Sequence, residues 1–519
     1  MILKLLNIQK LVLTTLLGFA CHTWADGDFS TQRSLVLSEA GALNMSTKAK
    51  NVILFVGDGM GISTVTAARI LEGQLMGGLG EENYLSFERF PNLALSKTYS
   101  VNQQTPDSAP TMTAMITGHK TNGGMLSVDA SLDMKEQDWS RVRDKVLPTL
   151  FELAEVNGLS TGIVTSTRLT HATPGACYAH TPNRNWESDV DVPSTSNVPD
   201  IARQFVEFPF GDGIDVALGG GLSYFVPKDG STVLNGVGIR EDGRDLVNEW
   251  LERRGDACFV RTKTELGEAT DLGFTKILGL FSDSHMPYEV DRRRTSLSHP
   301  ILSGFGVDVP SLSEMTAAAI AALSRNEVGF LLHVEAGRID HGHHASNAYR
   351  ALHEVIELSR AVKVAVQSVN LSETLIIVTA DHSHVFTIAG YPKRGNPILG
   401  KVTKPGADEP DRDLDGLPYT TLGYMNGPGS HSFEHGGDVV YEHDNRAGRR
   451  DLSGVNTESP GFHQESLVPL KSETHGGEDV AIYATGPGSI LFRGVREQNF
   501  IFHVMAYALG IKDGILEQK

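Results

Sequence analysis

Two carboxylates and three histidines lie within the eleven-residue run 334–344, Val-Glu-Ala-Gly-Arg-Ile-Asp-His-Gly-His-His. The run directly follows an apolar stretch, 328–334, which is typical of a buried strand. Carboxylate oxygens and imidazole nitrogens bind divalent metals such as zinc, so this density of ligands indicates a metal site. Two similar runs, 381–384 and 475–479, also lie beside apolar stretches. A solvated loop can contain Asp and His, but it does not require three such runs next to strands.

A serine at the start of a predicted helix could act as a nucleophile. In the segment 105–115, Asp107 or Ser108 can cap the helix and Pro110 suits its first turn. A helix cap alone would explain this pattern. However, the positive end of a helix favours an incoming anion, and a nearby metal could lower the pKa of the Ser108 hydroxyl.

Short apolar runs alternate with helical patterns along the chain. Together they predict an α/β fold with a central, mostly parallel sheet and helices on both faces. The predicted strands are 51–56, 161–165, 216–218, 329–334, 375–379 and 480–484. The predicted helices are 63–72, 148–157, 311–324 and 345–369.

The candidate ligands follow these strands at their carboxyl ends. Asp58 follows the first strand, Thr173 the second, Glu335 and Asp340 the fourth, and Asp381 the fifth. In open α/β sheets the ligand crevice lies at the carboxyl ends of the strands. We therefore expect these residues, which are far apart in the sequence, to meet in one pocket.

The first 25 residues read as a secretory signal peptide. Lys4 and Lys10 precede the apolar stretch 11–20, and Thr23-Trp24-Ala25 could form a cleavage site. The apolar stretch is too short to span a bilayer permanently. The sequence therefore predicts export to a periplasm or to the outside of the cell.

The remaining composition is that of an acidic globular protein. Removing residues 1–25 takes away two lysines and no acidic residue, which leaves 43 basic and 63 acidic side chains and a net charge of −20. This charge argues against nucleic acid as a partner, whereas bound divalent cations would offset part of it. Cys177 and Cys258 remain and could form one disulfide, which the sequence does not decide.

We predict one large catalytic domain at 50–519, preceded by an N-terminal arm at 26–49. Within this domain, the segment 390–471 is rich in Gly, Pro, Asp and His and has few apolar runs. It reads as a large, irregular, exposed insertion.

The motifs resemble those of the alkaline phosphatase family, and they occur in the family's order from about 50 to 509. The resemblance implies that family's fold, including a crown-like inserted region, and the hydrolysis of phosphate monoesters. The matching blocks are Val56-Gly57-Asp58-Gly59-Met60-Gly61, Asp107-Ser108-Ala109, His171-Ala172-Thr173-Pro174, the run 178–186, the run 335–344, Asp381-His382-Ser383-His384 and Thr474-His475-Gly476-Gly477.

The resemblance also implies two zinc ions and one magnesium ion. The first zinc would be held by Asp340, His344 and His475, the second by Asp58, Asp381 and His382, and the magnesium by Asp58, Thr173 and Glu335. Mixed nitrogen and oxygen donors suit zinc, and an all-oxygen set suits the harder magnesium. His171 and His341 would lie next to the magnesium and the first zinc without binding them, and such residues tune metal preference.

The implied mechanism is a phosphoryl transfer in two steps. Ser108 would attack phosphorus to form a phosphoserine, which water would then hydrolyse. The planar fork of Arg184 would bind two phosphate oxygens. Because these contacts address the phosphoryl group and not the alcohol, we expect a broad range of small monoesters as substrates. Family members are commonly homodimers, which makes a homodimer an expectation here.

Two other functions compete with this interpretation. Sulfatases and phosphodiesterases belong to the same superfamily, but sulfatases have an Arg where this chain has Met112, and the diesterases lack the third metal site that Thr173 and Glu335 imply here. The chain could also be an exported acidic protein that only binds zinc. Such a protein would need neither Ser108 at a helix start nor Arg184 in its motif.

Overall fold

The computed structural model describes residues 28–43, 48–229, 238–295, 308–430 and 449–511, and two short strands at 433–435 and 438–440. The predicted signal peptide lies outside these ranges. None of the helices in the described ranges is long and apolar enough to cross a membrane.

The strands and helices alternate along most of the chain. The strands are β1 (Asn51–Gly57), β2 (Asn92–Lys97), β3 (Ser160–Arg168), β4 (Val216–Gly220), β5 (Cys258–Val260), β6 (Ile277–Leu280), β7 (Phe330–Ala336), β8 (Thr374–Ala380), β9 (Ser383–His384), β10 (Phe386–Ile388), β11 (Leu422–Gly427), β12 (Phe433–His435), β13 (Asp438–Val440), β14 (Ser466–Pro469), β15 (His475–Gly476), β16 (Val480–Thr485) and β17 (Gly494–Glu497). The helices are α1 (28–42), α2 (Ile62–Leu75), α3 (Ser108–Thr117), α4 (Trp139–Arg143), α5 (Leu150–Val156), α6 (Ala172–Gly175), α7 (Ile201–Val206), α8 (Leu246–Arg254), α9 (Lys263–Leu272), α10 (Glu289–Thr295), α11 (Leu312–Leu323), α12 (Arg338–His344), α13 (Ala348–Ser368) and α14 (Phe500–Leu509).

Ten strands form one central sheet in the order β17-β2-β16-β8-β1-β7-β3-β4-β6-β5. Its pairings are parallel except at β16, which runs antiparallel to both of its neighbours, β2 and β8. The prediction of a mostly parallel sheet is therefore confirmed. The four strands that carry most of the candidate ligands, β8, β1, β7 and β3, are adjacent at its centre.

Helices cover both faces of the sheet, as predicted. Because side chains alternate along a strand, β1 supplies both layers of the core. Its residues Val52, Leu54 and Val56 belong to the cluster that contains α3, α5 and α14, whereas Ile53 and Phe55 belong to the cluster with α2, α11 and α13.

Local sequence signals explain where several helices begin. Helix α11 starts after Ser311, whose hydroxyl accepts from the backbone N–H of Glu314 while the Glu314 carboxylate accepts from the N–H of Ser311. The same reciprocal pair links Thr149 and Glu152 at the start of α5. Such capping boxes satisfy backbone donors that have no partner within the helix.

The predicted helix 345–369 corresponds to α13, and a second, shorter helix precedes it. Helix α13 begins at Ala348, after Asn347 caps it. The preceding run, for which the sequence predicted a metal site but no helix, forms the short helix α12. This difference matters for the site, because a helix places residues four positions apart on one face.

The segment 390–471 is more ordered than predicted. Strands β11 and β14 within it pair with each other, and β10 completes a three-stranded sheet. Leu422 and Tyr424 on β11 are buried against the main core. The expectation of an irregular, exposed region is wrong at these positions. The inserted region packs on the domain through apolar side chains, and these are buried at the contact.

The N-terminal arm contains α1, which packs against the C-terminal helix. The ring of Phe29 stacks on His119 and meets His503 of α14 edge-on. Glu39 pairs with Arg496 at 2.8 Å. The arm is thus fixed to the domain through its described residues.

Candidate active site

The predicted ligands meet at the carboxyl ends of the central strands. Asp58 follows β1 and Asp381 follows β8, and these two strands pair in register as far as Gly57 and Ala380. Glu335 on β7 lies opposite Val56 of β1. The parallel register therefore brings three carboxylates that are distant in sequence to one place.

Three further ligand candidates arrive on other elements. Helix α12 presents Asp340 and His344, four residues apart, on one face. His475 comes from the far end of the chain on β15, which pairs antiparallel with β9 so that His475 lies opposite His384. This two-stranded ribbon explains how the last motif reaches the site.

Asp340, His344 and His475 form what we call the first ligand set. Their facing atoms form a nearly equilateral triangle, with His344 Nε2 3.2 Å and His475 Nε2 3.3 Å from Asp340 Oδ1 and 3.2 Å between the two nitrogens. Ligand atoms about 2.0 Å from a tetrahedral zinc are about 3.3 Å apart. The triangle therefore has the size of a zinc site.

Hydrogen bonds on the other side of each ring fix which nitrogen carries the proton. His344 Nδ1 lies 2.5 Å from the carbonyl oxygen of Glu473, and His475 Nδ1 lies 2.7 Å from that of Pro106. A carbonyl accepts only, so each Nδ1 must carry a proton, and in the neutral rings each Nε2 presents a lone pair. Lone pairs from both rings and from Asp340 thus converge on one point, which a cation would stabilise.

Asp58, Asp381 and His382 form the second ligand set, and Ser108 joins them. His382 Nε2 lies 3.3 Å from Asp58 and 3.2 Å from Asp381. Ser108 Oγ, at the start of α3, lies 3.1 Å from His382 Nε2 and 3.4 Å from Asp58 Oδ1. These spacings are short enough for the donor atoms to share one zinc ion, and the serine oxygen lies beside two of them.

Asp58, Thr173 and Glu335 form the third ligand set. Each has a buried oxygen without a hydrogen-bond partner, namely Asp58 Oδ2, Thr173 Oγ1 and Glu335 Oε1. The other Glu335 oxygen is held by the hydroxyls of Thr165 and Thr167. Because buried polar atoms are normally paired, a group of such oxygens fits a hard cation such as magnesium.

The titration behaviour of these groups is consistent with bound cations. Burial, and then the charges of Asp381, Asp340 and Glu335, raise the pKa of Asp58 well above its usual value. Burial also raises the pKa of Glu335 to about 7. It lowers the pKa of His382 well below its usual value, and the nearby His475 lowers it further. Carboxylates crowded together without a cationic side chain between them would be stabilised by divalent metals.

Arg184 lies beside the nucleophile at the edge of the site. Its Nη1 donates to Asp107 at 3.0 Å, and Asp107 caps the helix that starts at Ser108. Its Nη2 lies 3.2 Å from His171 Nε2. The guanidinium, one fifth exposed, is therefore positioned by the same residue that positions the serine.

His171 and His341 belong to a cluster of three histidines next to the third ligand set. The third ring is that of His285, 5.3 Å from His171 and 4.4 Å from His341 between centroids. Burial and the neighbouring Arg338, which donates to His341 Nδ1 at 2.8 Å, lower the pKa of His341 to about 3. Burial and Arg184 likewise lower the pKa of His171.

His343 lies apart from the three ligand sets. Its ring is buried between Thr64, 3.0 Å from Nε2, and the hydroxyl of Tyr424, 2.7 Å from Nδ1. Both ring nitrogens are therefore used to hold α2 and the inserted region together.

Three residues at the site were not predicted. His285 follows β6, a four-residue strand whose sequence gave no clear signal. His384 lies in a matching motif, yet its Nε2 contacts Asp340 Oδ1 at 2.9 Å and its Nδ1 contacts Glu473 at 2.5 Å. Burial acts to lower the pKa of His384, but Glu473 and Asp340 raise it to about 10. The spacing of Glu473, two residues before His475, was the available signal.

The two cysteines of the domain are free thiols. Cys177 is buried and Cys258 is partly exposed on β5. The disulfide that the composition left open is not formed in the structure.

Comparisons with known proteins point to one family. The family profile described as alkaline phosphatase matches residues 49–511. The tissue-nonspecific isozyme of alkaline phosphatase from Gallus gallus is 43% identical over 472 residues, which cover 89% of this chain and 84% of the relative. An alkaline phosphatase from Gadus morhua is 42% identical, covering 90% and 94%.

Solved structures show the same fold at lower sequence identity. The Thermus thermophilus alkaline phosphatase has a TM-score of 0.61 and 24% identity, and covers 90% of this chain and 93% of its own. The alkaline phosphatase from the Antarctic bacterium TAB5 has a TM-score of 0.58 and 23% identity, with coverage of 89% and 98%.

Proposed function

Since the chain belongs to the alkaline phosphatase family and is a phosphoric monoester hydrolase, we propose that it works through a phosphoserine on Ser108. We further propose that the site holds two zinc ions in the first and second ligand sets and one magnesium ion in the third. The substrates would be small phosphate monoesters. Because the site would recognise only the phosphoryl group, we expect it to accept many different alcohol groups.

The observation that carries this proposal is the place of Ser108. Its oxygen lies 3.1 Å from His382 Nε2 and 3.4 Å from Asp58 Oδ1, within the second ligand set. A serine that only capped a helix would not need to face two side chains of the kind that bind metals. Here the cap is supplied by Asp107, which accepts from the N–H of Ala109 and leaves the Ser108 hydroxyl available.

Two zinc ions would supply charge neutralisation and a lowered pKa for the attacking hydroxyl and water. Ser108 Oγ forms a bond to phosphorus while the bond to the leaving oxygen breaks, and the proton of the Ser108 hydroxyl passes through solvent to the leaving oxygen, which departs as the alcohol. Arg184 holds two phosphoryl oxygens during this exchange. Water then attacks phosphorus, the Ser108–phosphorus bond breaks, one proton of the water passes to Ser108 Oγ, and inorganic phosphate is released.

The protonation of His171 supports a third ligand set that has only oxygen donors. Arg184 donates to His171 Nε2, so the proton of the neutral ring lies on Nδ1, the buried atom without a partner. A protonated nitrogen donates a hydrogen bond and does not bind a metal. His171, although it lies close to Asp58 and Glu335, is therefore proposed to orient the third site from outside, as is His341 beside it.

A comparison of wild type with Ser108→Ala tests the proposal. We expect wild type to hydrolyse p-nitrophenyl phosphate and the variant to lose at least about a thousandfold in rate, because the nucleophile is removed. Zinc content is measured in parallel. Ser489→Ala is the matched control. This buried serine follows β16, which runs antiparallel to β8, so it lies at the end of the sheet opposite to the ligand sets.

Two outcomes would contradict the proposal. A wild-type protein that holds zinc yet hydrolyses no monoester would support the zinc-binding alternative. A Ser108→Ala variant that keeps the wild-type rate would exclude the phosphoserine.

The sulfatase alternative is less well supported. Met112, at the position where sulfatases have an arginine, is fully buried in the core cluster beneath α3. The third ligand set likewise favours monoesters over diesters. Comparing turnover of p-nitrophenyl phosphate, p-nitrophenyl sulfate and bis-p-nitrophenyl phosphate would rank the three activities directly.

We also propose that the protein is exported and assembles as a homodimer. Export is supported by the predicted signal peptide, and cell fractionation with N-terminal sequencing of the product tests it. The homodimer is supported by the resemblance to the family. Sedimentation at the mass of one chain would contradict it.

A further inference from the structure

We propose that Glu473 is a positioning residue for the first ligand set, and that through it the inserted region 390–471 controls how tightly that set binds zinc. This inference rests on the proposed function, because it presupposes zinc at Asp340, His344 and His475.

The Glu473 carboxylate orients Asp340 through an intervening histidine. Its Oε2 accepts from His384 Nδ1 at 2.5 Å, and His384 Nε2 contacts Asp340 Oδ1 at 2.9 Å. Its Oε1 accepts from the backbone N–H of Val385 at 2.8 Å. A carboxylate that holds a ring in one orientation restricts every group that the ring contacts, and here that group is a zinc ligand.

The backbone of Glu473 orients a second ligand of the same set. Its carbonyl accepts from His344 Nδ1 at 2.5 Å, and its N–H donates to the carbonyl of His344 at 2.9 Å. The first contact fixes the proton on Nδ1 and directs the Nε2 lone pair towards Asp340. Glu473 therefore acts on two of the three ligands by separate routes.

The burial of Glu473 indicates that this role is specific. Its side chain is fully buried, although Ser472 and Thr474 on either side are exposed. Its ion-pair contacts among the described residues are to His344 and His384, with no lysine or arginine. Burying a carboxylate is costly unless it is paired, so a purely structural contact would not favour this residue type here.

The position of Glu473 connects the site to the inserted region. It lies just after β14, which pairs in parallel with β11 of the small sheet. It is followed by Thr474, whose N–H donates to Asn426 of β11 at 3.0 Å. The small sheet therefore holds the segment that carries the Glu473 carboxylate.

Zinc affinity of Glu473→Gln and Glu473→Ala tests the proposal. We expect the dissociation constant for the weaker-bound zinc, measured by competition with a chromophoric chelator, to rise about 10-fold to 100-fold. The glutamine amide has one acceptor oxygen, so it cannot serve both His384 and Val385. At saturating zinc, kcat on p-nitrophenyl phosphate should largely recover, because Glu473 touches no reacting atom.

Glu478→Gln is the matched control. Glu478 is an exposed carboxylate on the same loop and accepts from Ser383 at 2.5 Å, next to His384, without contacting a ligand of the first set. Its zinc affinity should stay within about twofold of wild type. Thermal unfolding of all variants shows whether a loss of zinc reflects a loss of folding instead.

A double-mutant cycle separates the carboxylate route from general loosening. In a His384→Gln background, adding Glu473→Gln should change zinc affinity by less than about twofold, since the relay is already broken. If Glu473→Gln weakened zinc binding as much in the His384→Gln background as in wild type, the proposed route from Glu473 through His384 to Asp340 would be wrong. It would also be wrong if Glu473→Gln alone bound zinc as tightly as wild type. If wild type itself binds no zinc, the proposed function fails, which is a different result.

Discussion

At the scale of single residues, the site is defined by which ring nitrogen each histidine presents. His344, His382 and His475 each direct Nδ1 to a backbone carbonyl, of Glu473, Ser383 and Pro106 respectively. Their Nε2 atoms are thereby oriented in advance towards carboxylates. The backbone thus selects the ligand atoms before any metal binds.

Arg184→Lys is expected to lower kcat/KM for p-nitrophenyl phosphate about 10-fold to 100-fold. A lysine offers a point charge and not a planar fork, so it cannot bind two phosphate oxygens at once. It also loses one of the contacts to Asp107 and His171. Steady-state kinetics measure the loss, and competitive inhibition by inorganic phosphate should weaken in parallel.

The metal content of Arg184→Lys should equal that of wild type, because the hydrogen bonds of Arg184 are to Asp107 and His171, which belong to neither the first nor the second ligand set. A variant with unchanged phosphate inhibition would show that Arg184 does not bind the phosphoryl group.

Most of the site could be predicted at this scale, because its ligand types cluster in short runs next to strands. The residues that orient the ligands could not. His384 was one histidine among several, and only its two contacts distinguish it from His343, which binds Thr64 and Tyr424 instead. Glu473 stands between Ser472 and Thr474, so only its spacing, two residues before His475, could have marked it.

At the scale of elements, the sequence predicted the long buried strands and missed the short or peripheral ones. β1, β7 and β8 are largely apolar, apart from His333 and Glu335 on β7, as expected for strands covered on both faces. β5 and β6 have three and four residues, too few for a period to be recognised. In the described part of the inserted region the buried residues form only short groups that include polar residues, such as Thr420, Thr421 and Leu422, so no long apolar run marks its small sheet.

Glu155→Gln is expected to stabilise the fold at alkaline pH. Glu155 on α5 accepts from Thr161 of β3 at 2.6 Å, and burial raises its pKa to about 8. Between the usual value of 4.5 and about 8, the folded chain binds more protons here than the unfolded chain. Stability is therefore full below this window and is lost as pH rises through it, by up to about 1.4 kcal/mol per pH unit.

Denaturant unfolding at pH 5, 7 and 9 measures this effect. The neutral glutamine should raise the free energy of unfolding by about 1–3 kcal/mol at pH 9 and by little at pH 5. The exposed Glu327→Gln serves as control. If Glu155→Gln changed the free energy of unfolding equally at all three pH values, titration of Glu155 would be excluded as the cause of the change.

At the scale of the whole molecule, the metals are expected to contribute to folding. Their removal leaves Asp58, Asp381 and Glu335 crowded at the centre of the sheet, where three strands end. Chelation should lower the thermal unfolding midpoint by about 5 °C or more, because three ions, each present at 100 times its dissociation constant, together stabilise by about 8 kcal/mol, and about 1 kcal/mol shifts the midpoint of a chain this long by about 1 °C.

Thermal scans with and without chelator measure the shift, and chelator already loaded with zinc is the control. Re-addition of zinc and magnesium should restore the midpoint. An unchanged midpoint in a protein confirmed to be free of metal would show that the carboxylates are accommodated without cations.

The β9–β15 ribbon has a consequence for how the protein is made. His475 completes the first ligand set by pairing with a strand some ninety residues earlier in the chain. During synthesis, every other ligand of the three sets is therefore available before His475 emerges from the ribosome. The first ligand set is therefore complete only after the chain has been synthesised beyond residue 475, so the proposed catalysis cannot begin on a shorter nascent chain.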